Sequence, residues 1–597
     1  MTGKSVRIGC CSGFWGDSAL AAPQLVRGAE IDYLVSDYLA EVTMSILARA
    51  KAKSPQLGYA TDFVQVTMKS LIRDIKAKGI KVVTNAGGIN PLACRDALAA
   101  VAAEAGVELK IGVVLGDDLT ERAGEFRAAG AREMYSGAVF PDEVMSINAY
   151  LGGRPIAAAL AEGCDVVITG RCVDSAVTLG PLMYEFGWTD DDYDELAAGT
   201  LAGHIIECGA QCTGGLFTDW QRVDSWENIG YPIATVEADG AFTISKPGGT
   251  DGLICFGSVA EQVLYEMGDP GAYHVPDVAC DFTQVQVEEV GDQLVRLTGA
   301  RGQAPTSTYK TSCTYRDGYK NQALLVIGGF DAPAKARRTA ETVLARTRRM
   351  FQARNLGDYT ETRIEAVGAE AMYGDAASAE PREVVMKIAV KHPDKAALEI
   401  FAREFAPAGT SMSPGTTGFG GGRPTPAPVV RLFSFLVEKA DVPVQVVVDD
   451  RQIPVAVADA GGFVESRSAL VEPVPAAAPE GETVRLPLIR LCYGRSGDKG
   501  NTANIGLIAR HREYLPLLRQ QVTPERVRAH FAHNGTAHVE RFDLPGIGAM
   551  NFLLYETLGG GGMASLHTDN LAKAYCQVLM AMEVDVPVAW AQALEAA

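Results

Sequence analysis

The chain has 597 residues, 47% of them hydrophobic and 21% charged, with a formal net charge of −19. That length exceeds what one hydrophobic core can hold, and the negative balance repels nucleic acid and anionic membrane surfaces. No apolar run approaches the roughly 20 residues of a membrane span, and MTGKSVRIGCCSG lacks the basic and apolar segments of a signal peptide, so a cytoplasmic multidomain globular protein is expected.

Five times in the first 175 residues an apolar, β-branched run ends in a cluster of glycine, polar and charged residues. VRIGC leads to Gly13, Gly16, Asp17 and Ser18, IDYLV to Asp37 and Glu41, and IKVVT to Asn85, Gly87 and Gly88. LKIGVVL leads to Gly116, Asp117 and Asp118, and CDVVIT to Gly170, Arg171 and Asp174. Helical patterns such as TMKSLIRDIKAKG and CRDALAAVAAEAG lie between them, which predicts βαβ units and a parallel sheet buried on both faces. Ligands of such sheets bind beyond the carboxyl ends of the strands, where these clusters gather.

The loop with Gly13, Gly16 and Ser18 precedes a helix, where free N–H groups favour an anion; a tight turn capped by Asp17 or Ser18 is the equal alternative. The segment from Asn85 to Pro91, with Gly87 and Gly88, is a second loop of this kind. Asp37, Glu41 and Asp174 supply carboxylates for acid–base work and Arg171 the neighbouring cation, against the alternative of helix caps and a structural ion pair. A divalent metal on these oxygens is the weaker expectation.

Farther on, His204, Glu207 and Cys208 are spaced i, i+3 and i+4, one face of a helix, with Cys212 a turn later. The spacing matches no zinc site. His204 as a proton shuttle oriented by Glu207 is the leading expectation, Cys208 as nucleophile a distant one, and a satisfied core histidine the bland alternative.

From about 225 longer strand patterns predominate, with helices expected at 333–354 and 394–406, as in an α+β lobe. The loop 246–253, with Lys246, has anion-binding character, and the loop 494–501 has more, joining Arg495, Lys499 and Asn501 to flexible backbone. The Pro- and Ala-rich stretch 468–484 reads as a linker. The fold class is therefore α/β. A parallel-sheet lobe holding the active site (1–224) leads to an α+β lobe (225–467), the linker, and a small α+β domain (485–597).

GRCVDS, GHIIECGAQCTGG, NIGYPIATVEADG, KPGGTDGL and EQVLYEMGDPGAYHVPDV resemble the acyclic terpene utilisation AtuA-type family. So do IGCCSGFWGDS, TNAGGINP and, in what would be its ferredoxin-like C-terminal domain, RSGDKGNTANIG. The resemblance implies a place in isoprenoid catabolism, whose intermediates are branched acyl-CoA thioesters, with coenzyme A entering as part of the substrate; with no nicotinamide, P-loop or flavin fingerprint in the sequence, proton chemistry by a lyase or hydratase is expected. The resemblance also implies contact with a biotin-dependent carboxylase pathway. A scaffold subunit and a CoA transferase or thioesterase are the alternatives, and a homo-oligomer is expected. In the favoured reading His204 or Asp174 moves the proton, Arg171 and the backbone of 85–88 polarise the carbonyl, and Lys499 clasps the CoA phosphates.

Overall fold

The computed structural model describes residues 3–465 and 481–596; the expected linker lies outside the described residues as far as 480. Six short strands set the frame: β1 (Ser5–Cys10), β2 (Tyr33–Ser36), β3 (Lys81–Thr84), β4 (Ile111–Leu115), β5 (Ser146–Ala149) and β6 (Val166–Thr169). Five pair in parallel in the order β1–β2–β3–β6–β4. Helices cover both faces, which explains why β2 and β6 are buried at every residue.

This parallel block is the centre of a larger mixed sheet, eleven strands among the described residues. β7 (Ile233–Glu237) pairs antiparallel with β1, and Gln445–Val448 pairs antiparallel with β4. The boundary expected near 224 therefore falls within one sheet. The physical reason is edge protection: β1 and β4 would otherwise expose unpaired backbone groups, and strands from later in the chain satisfy them.

β5 leaves this sheet to pair with Thr308–Gly328, the 21-residue strand at the heart of a second, antiparallel sheet. Helices Ala332–Gln352 and Lys395–Glu404 pack against it, within two residues of the expected ends.

The C-terminal domain forms a four-stranded antiparallel sheet with helices, in the order Cys492–Lys499, Thr502–Ala509, Ala549–Tyr555, His538–Leu544. The expected loop 494–501 is mostly strand. Cys492–Lys499 and Thr502–Ala509 form a hairpin whose tip is Gly500 and Asn501, with Gly500 at φ +63°. Helix Phe256–Leu264 docks on this sheet: Asn504 Nδ2 donates to the Leu264 carbonyl at 2.7 Å, and Asn551 Nδ2 to those of Met267 and Gly268 at 2.9 and 2.7 Å. That docking brings the hairpin beside the strand ends of the first sheet.

Candidate functional site

Asp37 follows β2 and Asn85 follows β3. Asn85 Nδ2 donates to Asp37 Oδ1 at 2.5 Å, and Asn85 Oδ1 accepts the Tyr38 N–H at 2.8 Å. Burial, then the charges of Asp174 and Glu207, push the Asp37 carboxyl well above the usual carboxylate range, outweighing Asn85 and Arg171. Arg171, after β6, is held by its own backbone N–H, which donates to Asp117 Oδ2 at 2.8 Å. Its Nη1 donates to the Leu39 carbonyl at 3.0 Å and to Asp174 Oδ1 at 2.8 Å, and its guanidinium lies 4.2 Å from the Tyr150 ring centre.

Tyr150 donates its hydroxyl to Glu41 Oε1 at 2.8 Å. Burial opposes ionisation of Glu41, but Lys310, Arg171 and the Tyr150 bond outweigh it and hold the carboxyl at about 2. Glu41 and Asp37 thus sit on one sheet edge with their carboxyls pushed in opposite directions. Asp174 keeps 28% of its side chain accessible, so this carboxylate meets solvent.

Helix Tyr193–Ile206 is buried almost all round, and Gly203 lets it approach Ser175, where a Cβ would lie 2.8 Å from the neighbouring backbone. His204 is 1% exposed. Its Nε2 lies 3.2 Å from the Val263 carbonyl, and Nδ1 stands 3.6 Å from Glu207 Oε1 with no hydrogen-bond partner. Burial, then Lys499, push the imidazole down to about 4, so it is neutral at pH 7, and Val263 selects the tautomer protonated on Nε2. Burial, then Asp174, push Glu207 well above the usual carboxylate range. Of the two, His204 is the more deeply buried, while 10% of the Glu207 side chain is accessible, which favours Glu207 as the group that meets a ligand. Cys208 is adjacent, and burial with Glu207 pushes its thiol well above the ordinary value, which disfavours a thiolate nucleophile.

The C-terminal domain supplies the opposite wall in cis. Helix Phe256–Leu264 is followed by Tyr265 and Glu266, with Glu266 in the left-handed region at φ +53°. Lys499 Nζ lies 3.4 Å from Glu266 Oε2, and Lys573 Nζ lies 3.2 Å from Glu266 Oε1 and 2.5 Å from the Tyr265 hydroxyl. Burial works against the Lys499 cation, yet Glu266, Tyr273 and Asp174 more than offset it. The same charge is felt by Glu207 and His204, while 47% of the lysine side chain remains accessible. Lys499 therefore stands in an open cleft among carboxylates. Arg495 lies 4.7 Å above the Tyr265 ring and donates to Gln211 Oε1.

The other residues expected to contact a ligand make contacts within the chain. A Cβ on Gly13 would lie 2.7 Å from the Cys208 carbonyl carbon, so this glycine lets the end of β1 abut the 207–208 turn. Its N–H goes to Asp17 Oδ2 at 2.9 Å, Asp17 Oδ1 accepts the Tyr231 hydroxyl at 2.6 Å, and Ser18 Oγ accepts the Leu20 N–H at 3.2 Å. Gly16, at φ +110°, completes this self-contained turn. A Cβ on Gly87 would lie 2.5 Å from the Thr169 carbonyl, and Gly88 donates its N–H to the Asn85 carbonyl at 3.2 Å. Lys246 closes its own loop on the Thr250 carbonyl at 2.5 Å, and Asn501 Oδ1 accepts the Gly560 N–H at 2.8 Å. Asn85, Arg495 and Lys499 alone among these ten belong to the cleft network.

Sequence reasoning missed Tyr150, Tyr265, Glu266, Lys310 and Lys573. None follows a strand of the parallel block, and the one available signal was the dense polar stretch LYEMGDP. Beside the cleft opens a cavity of about 610 Å³, lined by Leu216, Phe217, Trp220 and Trp226 on one side and by Arg495 and Lys573 on the other. Among the described residues no three His, Cys, Asp or Glu converge as a metal site.

The family model described as "Acyclic terpene utilisation family protein AtuA" matches residues 6–448, and that of the AtuA ferredoxin-like domain matches 486–585. Neither a curated protein nor a solved structure matches the chain. With the strand-end cleft inside the first match and its opposite wall inside the second, the chain belongs to the AtuA family, which is linked to acyclic terpene utilisation.

Proposed function

We propose that the chain is a lyase of acyclic terpene breakdown that hydrates, dehydrates or cleaves a branched acyl-CoA by proton transfer. The carrying observation is the pairing of unlike carboxyl groups: Glu207 and Asp37 are driven toward the protonated form beside Asp174, which is held by Arg171 at 2.8 Å. Environments that push neighbouring carboxyls apart are how one site provides both acid and base.

In the dehydration direction Asp174 removes the α-proton and the C–H electron pair becomes an enolate. Lys499 stabilises the oxyanion, and Glu207 protonates the departing β-hydroxyl, which leaves as water. His204 stands behind Glu207, with Nδ1 3.6 Å from Oε1. The apolar cavity with Trp220 and Trp226 suits an isoprenoid tail whose charged end meets Arg495 and Lys573. Incubating the full chain with a branched 2-enoyl-CoA and its 3-hydroxy hydrate, with and without Mg²⁺, tests this. Interconversion or cleavage is expected, and none of either overturns it in favour of a scaffold role.

A further inference from the structure

A second cavity, of about 770 Å³, opens between the second sheet and the C-terminal domain and is lined by none of the strand-end carboxylates. Its floor is one sheet face. Lys320, Gln322 and Leu324 lie opposite Lys391, Ala389 and Lys387 in register, so strand alternation gathers three lysines on that face. A glycine-rich loop leaves Thr416–Gly418, contributes Phe419 and Thr425 to the rim, and returns at Ala427 beside Lys320. Ser565, Thr568 and Asn570 line it from the C-terminal domain, with the Thr568 hydroxyl donated to Glu365 at 2.7 Å.

The charges do not balance. Glu365 takes Lys387 at 2.8 Å and Arg363 at 2.9 Å, and Glu361 takes Lys391 at 2.5 Å. Lys320 makes no ion pair among the described residues; its Nζ donates to the Met563 carbonyl at 2.6 Å. Burial, then Lys391 and Lys387, hold it below the ordinary lysine range. Four cations thus meet two carboxylates, in a chain of net charge −19. The surplus suits a phosphate monoester, whose charge at neutral pH approaches −2. Phe419, 53% exposed, offers a π-face at the rim for a base to stack on.

We infer that this cavity binds a nucleoside phosphate of the kind that ends coenzyme A, with the phosphate on Lys320 and the base against Phe419. Met563 links this face to the first lobe: its carbonyl holds Lys320, and its sulfur lies 3.6 Å from the Ser45 hydroxyl, in the helix that begins at Glu41. The inference rests on the acyl-CoA reading for its physiological ligand, and binding tests it separately from turnover.

Isothermal titration of the full chain with adenosine 3′,5′-bisphosphate is expected to show saturable binding at one site. Lys320→Gln weakens it by roughly tenfold or more, the loss expected for one charge-assisted hydrogen bond, and Phe419→Ala, on an exposed rim residue, weakens it severalfold. No binding, binding unaffected by either substitution, or equal affinity for inorganic phosphate each overturns the proposal. Binding with no turnover of any acyl-CoA upholds the site and overturns the lyase reading instead.

Discussion

Lys499 and Glu266 meet at 3.4 Å across the junction between the C-terminal domain and the segment that follows helix Phe256–Leu264. The contact brings a cation from the last hundred residues to carboxylates from the first two hundred. Both side chains retain solvent access, so the pair contributes about 0–1 kcal/mol to stability. The larger effect of Lys499 is on the charge of the cleft, where it opposes the rise of Glu207 and depresses His204, with Glu266 acting against it on both.

Lys499→Met is therefore expected to leave the melting temperature within a few degrees of wild type while lowering kcat/KM by about 100-fold or more, the loss typical of an oxyanion donor. Thermal denaturation and acyl-CoA turnover measure the two effects. Unchanged turnover would remove Lys499 from the mechanism.

Glu207→Gln and Asp174→Asn are each expected to cost on the order of 10²- to 10⁴-fold in kcat, the range for a proton-transfer residue. His204→Gln should cost less than about tenfold, because the imidazole is more deeply buried than Glu207, while shifting the pH profile. Since the acid must carry its proton, activity falls as pH rises through the raised Glu207 pKa. If His204→Gln proves the more damaging change, the roles revert to His204 as shuttle.

Glu261 is 1% exposed, its Oε1 accepts the Thr218 N–H at 3.1 Å, and burial pushes its carboxyl up to about 7. The folded chain then binds more protons than the unfolded chain between the ordinary glutamate value and about 7, so stability falls as pH rises through that window. At the rate of 1.36 kcal/mol per pKa unit, wild type loses up to about 3 kcal/mol relative to Glu261→Gln between pH 5 and pH 8. Urea unfolding of both proteins at the two pH values checks the sign, and a difference that does not change with pH contradicts it.

Trp226→Ala opens the wall of the apolar cavity. KM for a substrate with a long branched tail is expected to rise about tenfold or more, with a short-chain acyl-CoA little changed, because the lost contact is made by the tail alone. Equal effects on both substrates place the tail elsewhere.

The strand-end groups were legible in the sequence because βαβ patterning is local: an apolar run ending at Asp37, Asn85 or Arg171 forms the carboxyl edge of a parallel strand wherever the rest of the chain goes. The anion-ready loops were ambiguous for an equally local reason. Glycine and serine at the start of a helix look the same whether they receive a phosphate or close a turn, and the close approach of Gly13 to the Cys208 backbone gives that glycine a packing reason of its own. Which of His204 and Glu207 is the more accessible was hidden because their helix is apolar almost all round, so its pattern marks no outward face.

The sequence offered LYEMGDP as a signal for Tyr265 and Glu266 but nothing that joins them to Lys573 or the cleft, which they reach when helix Phe256–Leu264 docks on the C-terminal sheet. By itself the sequence determined the α/β frame and the edge where polar groups collect, because hydrophobic periodicity and turn chemistry act over a few residues. The tertiary structure alone decided which carboxyls are pushed toward the protonated form and which lysine faces them, because burial and Coulomb forces act between residues hundreds of positions apart.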